Sequence, residues 1–278
     1  MLFRSPTASG KTALALALAG RLDAEIVSVD SMAVYAGLDV GTAKPTAAER
    51  AAIRHHCLDL VAPAESFSVA RWLAAAAEAV DAIRGRGRRI LFVGGTPLYL
   101  RSLRDGLAPL PAEDAAVRER LTAEASSLGS HALHARLAAI DPVAAARIHP
   151  NDAKRVIRGL EVAEVTGRPL SASWSDRLPS ATANASSRAF ASQMLVIDRP
   201  RRLLADRIDR RVERMFSSGL LEETRAALAA GGFGPTARQA AGYDEAIGFI
   251  EGRLSLQDAI EQTKTRTRDR KSTRLNSS

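Results

Sequence analysis

Eight residues near the start, Ser5-Pro6-Thr7-Ala8-Ser9-Gly10-Lys11-Thr12, nearly spell G-x-x-x-x-G-K-[ST], the signature of a phosphate-binding loop found in nucleotide- and ATP-binding proteins. Gly10 lets backbone N–H groups converge on phosphate oxygens, Lys11 adds a point charge, and Thr12 offers a hydroxyl to Mg²⁺. Ser5 stands where the signature has its leading glycine. The plainer alternative is a helix start capped by Thr7 or Ser9. Asp30 follows the apolar run Ile26-Val27-Ser28-Val29, at the strand end where open α/β sheets bind ligands. A turn aspartate is the other reading there. Gly94-Gly95-Thr96 ends a second apolar run and brings a hydroxyl to the same edge, or forms a plain turn. Arg207, Arg211 and Arg214 recur at i, i+4 and i+7. Stacked guanidiniums repel unless anions neutralise them; otherwise the face is solvated and paired with Asp206, Asp209 and Glu213.

The elements that position these groups read as an alternation. Ile26–Val29 and Ile90-Leu91-Phe92-Val93 are expected as buried strands, and Met194-Leu195-Val196-Ile197, stopped by Asp198 and Pro200, as a third. Helices are expected over Lys11–Leu22 and Val69–Arg84. Strands alternating with helices imply a parallel sheet covered on both faces. From about Ala112 to Arg188 the rhythm is helical only. Val117, Leu121 and Leu128, then Leu133 and Leu137, recur at helical spacing. Asp141-Pro142 reads as N-cap and first helical residue, and Asn151-Asp152 opens a helix carrying Val156, Ile157 and Leu160 that closes at Gly167 and Pro169. Ser171–Ser187 reads as a mobile return loop. The expected division is therefore an α/β core over 1–111 and 189–278 with an all-helical insertion over 112–188. Pro200–Ala230 reads as one long helix with Ile208, Val212 and Met215 as its apolar stripe.

The 278 residues carry 46% hydrophobic and 25% charged side chains, enough apolar surface for a core and not the make-up of a disordered chain. One cysteine, Cys57, rules out a disulfide scaffold and fits a reducing cytoplasm. Lys and Arg number 39 against 31 acidic residues, a net charge of +8, which favours a polyanionic partner such as nucleic acid. Aromatics at 4% argue against a broad base-stacking platform. No apolar run is long enough to span a bilayer, so no membrane partner is expected. His55-His56-Cys57 carries metal-capable side chains, but adjacent residues point apart and no second cluster completes a zinc site. Trp72 and Trp174 read as packing residues.

Taken in order, Ser5–Thr12, Val27-Ser28-Val29-Asp30-Ser31, Gly37-Leu38-Asp39-Val40-Gly41-Thr42-Ala43-Lys44-Pro45, His55–Asp59 and Val93–Tyr99 resemble the tRNA dimethylallyltransferase family. The likeness continues through Asp141–Asp152, Arg158-Gly159-Leu160-Glu161-Val162, Thr166-Gly167 and Gly242-Tyr243, over about residues 5 to 262. It implies a P-loop NTPase-like core that transfers a dimethylallyl group from dimethylallyl diphosphate to N6 of adenosine 37 in tRNA, releasing diphosphate. By position, Asp30 resembles the base that accepts the N6 proton, Thr96 the hydroxyl near the donor's bridging oxygen, and Arg211 the arginine on the departing diphosphate. Ser5 to Thr12 resemble the diphosphate loop, with Thr12 toward Mg²⁺. The resemblance also implies tRNA contacts at Asp30, Ser31, Met32, Ala33, Thr96, Arg118, Lys154, Arg155, Arg158, Gln239, Gly242 and Tyr243. A cytoplasmic monomer is expected.

Both ends depart from the family's pattern. Met1–Arg4 is a stub of its first strand, Thr263–Arg270 keeps only the basicity of its last helix, and Lys271–Ser278 matches nothing in it. A reading frame incomplete at both ends, and a correspondingly weaker fold, is the expectation. Asp244 stands where the family has a basic residue, which predicts one tRNA contact weakened by like-charge repulsion. The competing readings are an adenine-nucleotide prenyltransferase, a P-loop small-molecule kinase, and an inactive fragment that still binds tRNA.

Overall fold

The computed structural model describes residues 2–4, 8–108, 110–174, 194–197 and 199–275. Ser5, Pro6 and Thr7 of the expected diphosphate loop, Asp198, and the 175–187 part of the expected return loop lie outside the described residues. Two compact units are present, Met1–Arg104 with Ser180–Ser278, and Asp105–Pro179.

The first unit runs β1 (Leu2–Arg4), α1 (Lys11–Leu22), β2 (Ala24–Val29), α2 (Ala47–Ala52), β3 (His55–His56), α3 (Val69–Gly85), β4 (Arg89–Gly94) and α4 (Pro97–Asp105). The second unit holds α5 (Ala115–Leu128), α6 (Ser130–Ile140), α7 (Pro142–Ala145) and α8 (Ala153–Thr166), then a 3-10 turn at Leu170–Trp174. The chain returns to the first unit through β5 (Met194–Val196), α9 (Arg201–Ser217), α10 (Leu220–Ala229), α11 (Tyr243–Ile250) and α12 (Leu256–Leu275).

The five strands form one parallel sheet in the order β3-β2-β4-β1-β5. Strands β2 and β4 are apolar almost throughout because both faces are covered. Ile26 and Leu91 pack with Ala15 and Ala19 of α1. Val27, Val29, Ile90 and Phe92 share the other cluster with Trp72, Ala76, Val80 and Ile83 of α3. Trp72 is fully buried; its indole N–H donates to the Ser28 carbonyl at 3.1 Å and its ring stacks on Tyr99 at 4.6 Å. Burial of so large a ring is affordable only with that donor satisfied.

Two expectations are corrected. The segment Met194–Val196 is a strand, but it pairs only with β1 at the sheet edge and its side chains are 37, 42 and 62% exposed, so it is not buried. Pro200–Ala230 is two helices, because Gly219 adopts φ 103, a left-handed turn that ends α9 and starts α10. Leu128 is exposed at the end of α5, whereas Leu121, Leu133, Leu137, Val156 and Leu160 form the core of the second unit. Strand β3 escapes sequence reading because two residues show no alternation. The helix caps do follow the sequence: Asp141 accepts the Ala144 N–H at 2.9 Å with Pro142 behind it, and Asp152 accepts the Arg155 N–H at 3.2 Å.

Candidate active site

Gly10 is the N-cap of α1, with φ 96 and no side-chain capping bond. Ser9 is therefore not the N-cap; its Oγ is buried and has no hydrogen-bond partner among the described residues. No acidic side chain occupies the first turn of α1. The helix start thus keeps its positive end for an anion. Lys11 is half-buried and Thr12 exposed at that end.

Asp30 and Thr96 meet at the C-terminal edge of the sheet because β2 and β4 are neighbours, with Val29 opposite Gly94. A Cβ on Gly94 would lie 2.1 Å from the Val29 carbonyl oxygen, so only glycine allows the strands to close there. The Gly95 and Thr96 N–H groups both donate to that carbonyl at 3.2 Å. The Thr96 Oγ1 accepts the Ser31 N–H at 2.9 Å and faces the Ser31 hydroxyl at 3.3 Å. One oxygen of Asp30 accepts the Met32 N–H at 2.9 Å. That bond gives Asp30 a turn role through one oxygen and leaves the second oxygen outside the turn. Met32 is half-buried, and the Ala33 side chain is buried.

Helix α9 brings its arginines over the same edge. The Arg207 Nε–H donates to the Ala8 carbonyl, and the Arg199 Nε–H just before the helix to the Ser9 carbonyl, each at 2.7 Å. Arg211 lies one turn beyond Arg207. Burial lowers the pKa of its guanidinium from the ordinary arginine range, while the charge of Asp30 opposes that fall. Two of the three neighbouring acids pair with α12, while Arg207 and Arg214 are exposed. Asp209 binds Arg268 of α12, with Nε to Oδ1 at 2.8 Å, and Glu213 pairs with Lys264 at 2.9 Å.

A second knot lies behind Gly37–Pro45. The Glu223 carboxylate of α10 accepts the N–H groups of Asp39, Val40 and Gly41 at 2.6, 2.8 and 3.2 Å, and the Tyr243 hydroxyl at 2.5 Å. Any Cβ at Gly41 would sit 2.5 Å from the Tyr243 ring. Lys44 is buried, donating to the Tyr35 carbonyl at 2.6 Å and to Asp39 and Asp59 at 2.8 and 2.5 Å. Of the residues the resemblance implies for tRNA, Gly242 is buried and the Tyr243 side chain is wholly enclosed. Gln239 donates to the Pro235 carbonyl at 2.9 Å. Asp244 pairs with Arg238 at 2.8 Å and with Arg266 at 3.4 Å, so local cations screen its charge.

In the second unit the expected basic residues divide by environment. Glu161 is wholly buried and binds Arg118 at 2.7 Å and Arg158 at 2.8 Å. Burial pushes its carboxyl up, yet the two arginines and the Asp114 N–H together hold it below the ordinary carboxylate range. Arg158 also donates to the Pro111 carbonyl at 2.7 Å, which is why 105–111 belongs with this unit. Lys154 and Arg155 are exposed, Arg155 paired only loosely with Asp152 at 3.4 Å. Elsewhere, His55 contacts the Ile53 carbonyl at 2.7 Å, His56 contacts Glu25 at 2.6 Å, and Cys57 is buried. Trp174 lies under the Arg147 guanidinium at 4.6 Å. Among the described residues no helix is long and apolar enough to cross a membrane.

Residues 33–270 match the family described as IPP transferase, and residues 1–62 match the isopentenyl transferase family. The chain belongs to the IPP transferase family. This transferase is 50% identical over 264 residues to a tRNA dimethylallyltransferase of Anaeromyxobacter sp. (strain Fw109-5), covering 95% of this chain and 86% of the relative. It is 44% identical over 270 residues to that of Geobacter metallireducens, covering 96% and 85%. Among solved structures, the tRNA isopentenylpyrophosphate transferase of Bacillus halodurans superposes with a TM-score of 0.65 at 37% identity, covering 99% of this chain and 84% of that one. A eukaryotic dimethylallyltransferase described as acting on tRNA gives 0.77 at 27% identity, covering 96% and 66%.

Proposed function

We propose that this transferase moves a dimethylallyl group from dimethylallyl diphosphate to N6 of adenosine 37 in tRNA. One observation carries the reading. An uncapped, acid-free helix start at Gly10-Lys11-Thr12 shares a sheet edge with Asp30 and Thr96 on adjoining strands, under an arginine-bearing helix. The names carried by its relatives supply the substrate class.

In this reading the N–H groups at the α1 start and Lys11 hold the donor's diphosphate, and Arg211 binds it as negative charge builds on departure. Its partial burial strengthens that interaction. Thr96 lies toward the bridging oxygen. As the allylic carbon–oxygen bond breaks, N6 bonds to the carbon and its proton passes to the free oxygen of Asp30, the other being held by Met32. The adenine must first leave the anticodon stack, and Asp30 to Ala33 line its path. Lys154 and Arg155 meet phosphates of the tRNA, while Arg118 and Arg158 support that helix through Glu161. Mg²⁺ fits the residues present. Among the described residues no group of three or more His, Cys, Asp or Glu side chains could hold a metal ion, and the exposed Thr12 hydroxyl is the protein group that would hold Mg²⁺ beside the diphosphate. It would neutralise the leaving group.

Mass spectrometry of adenosine 37, after incubation of unmodified tRNA with the protein, dimethylallyl diphosphate and Mg²⁺, tests the reading. Addition of one dimethylallyl group is the expected result. Unmodified adenosine alongside ATP turnover would transfer the protein to the small-molecule kinases.

A further inference from the structure

The turn before α1 is held in a conformation the chain does not favour by itself. Ala8 has φ 63 and Gly10 φ 96, and the left-handed region costs an alanine free energy. Two arginines from far along the sequence meet this turn. Arg207, 199 positions away, donates Nε–H to the Ala8 carbonyl, and Arg199, 190 positions away, donates Nε–H to the Ser9 carbonyl, each at 2.7 Å. A peptide plane points its carbonyl and its N–H in opposite directions. Fixing the Ala8 carbonyl therefore aims the Ser9 N–H the other way, and fixing the Ser9 carbonyl does the same for the Gly10 N–H. The guanidinium ends also crowd one spot: terminal nitrogens of Arg199 and Arg207 lie 3.6 and 3.8 Å from where a Gly10 Cβ would stand. Two cations so close repel each other, and an anion on the loop relieves that repulsion.

We infer that Arg199 and Arg207 are positioning residues for the donor, bracing the Ala8–Gly10 turn so that its N–H groups face the diphosphate. This rests on the reading that the loop takes a diphosphate, and it adds two residues that the motif does not contain. Lysine is a poor substitute. Its single ammonium cannot place one nitrogen on a carbonyl while holding others beside Gly10.

The test uses the full chain with Arg199→Ala, Arg207→Ala and Arg207→Lys, and Arg202→Ala as an exposed neighbour on the same helix. Three quantities are measured: the dissociation constant for inorganic pyrophosphate, and the KM values for dimethylallyl diphosphate and for tRNA. Each alanine variant should weaken pyrophosphate and raise the donor KM by about tenfold or more, the scale of one lost charge-assisted bond. The tRNA KM should move less than about twofold, Arg207→Lys should recover only a small part of the loss, and Arg202→Ala should match the parent. Pyrophosphate affinity unchanged in both alanine variants, full rescue by lysine, or an equal rise in the tRNA KM overturns the brace. So does a parent that binds no pyrophosphate. A parent that binds pyrophosphate yet transfers no prenyl group defeats the proposed function alone, and the pyrophosphate measurements still decide the brace.

Discussion

Replacing Glu223 should cost this protein a large part of its stability, although nothing in its local sequence marks it out. Its carboxylate gathers four donors, three consecutive backbone N–H groups and the Tyr243 hydroxyl, at 2.5 to 3.2 Å. A hydrogen bond to an ionised acceptor contributes about 1.5–3 kcal/mol. The four do not add, because water reaches the part of the loop near Asp39 once the carboxylate is gone. The enclosed Tyr243 hydroxyl and the deeper amides cannot be rehydrated so easily. Glu223→Ala should therefore lose about 3–5 kcal/mol, against roughly 5–15 kcal/mol for a whole domain. Tyr243→Phe removes one donor and should lose about 1.5–3 kcal/mol. The double variant should lose less than the sum by about 1–2 kcal/mol, since the two share a bond. Urea titration followed by circular dichroism gives the three values, and amide exchange at residues 39–41 should quicken in Glu223→Ala alone. A Glu223→Ala loss below about 0.5 kcal/mol, or strict additivity, would show that the knot is not a clamp.

Asp30→Ala should lower kcat by about 10²–10⁴-fold with pyrophosphate affinity retained; full turnover removes Asp30 from the mechanism. Lys154→Ala and Arg155→Ala should weaken tRNA binding and together flatten its salt dependence by about one to two counterions, with melting unchanged. The double variant Arg118→Ala/Arg158→Ala should instead destabilise by about 3–5 kcal/mol, because it leaves the buried Glu161 with no arginine partner, and each single variant by less; a double-variant melting temperature equal to the parent's would contradict this. Gly94→Ala places a methyl 2.1 Å from the Val29 carbonyl, so soluble yield and kcat should both collapse, and normal behaviour would mean that the strand ends are looser than described. Glu25 is held at about 2, well below its ordinary 4.5, chiefly by hydrogen bonding to Arg86 against the opposing cost of burial, with His56 adding to the effect. A depressed carboxylate stabilises the fold above its ordinary pKa and stops doing so as pH falls toward the folded value. Between pH 5 and 2.5 the parent should therefore lose stability more steeply than Glu25→Gln, and parallel curves would argue against the pairing.

The sheet and its main helices were legible because each carries its own period. Ile26–Val29 and Ile90–Val93 are too apolar for a one-sided strand, and α1 begins at Lys11 and ends at Leu22 as its composition suggests. Asp30 and Thr96 were legible as strand-end residues, and the neighbouring of β2 and β4 is what joins them. The arginine stripe was visible, but where its neighbouring acids pair was not, because Asp209 and Glu213 answer to cations on α12, Arg268 and Lys264, more than fifty residues onward. The resemblance implied an RNA contact at Tyr243; that its side chain is enclosed shows only in its packing on Gly41. Glu223 and Arg199 gave no sign, since a carboxylate receiving backbone N–H groups and a guanidinium on a carbonyl leave no spacing in the sequence.

The sheet order has a bearing on how the protein is made. Strand β1 precedes the other four strands along the chain yet lies between β4 and β5, so it must wait for both before its backbone is fully paired. The Ala8–Ser9 turn waits longer still, for arginines near three-quarters of the way along the given sequence. Such distant closures are slow to form. The donor cradle is therefore among the last features to mature during synthesis, and a nascent chain halted before α9 would hold a nearly finished sheet with no grip on pyrophosphate.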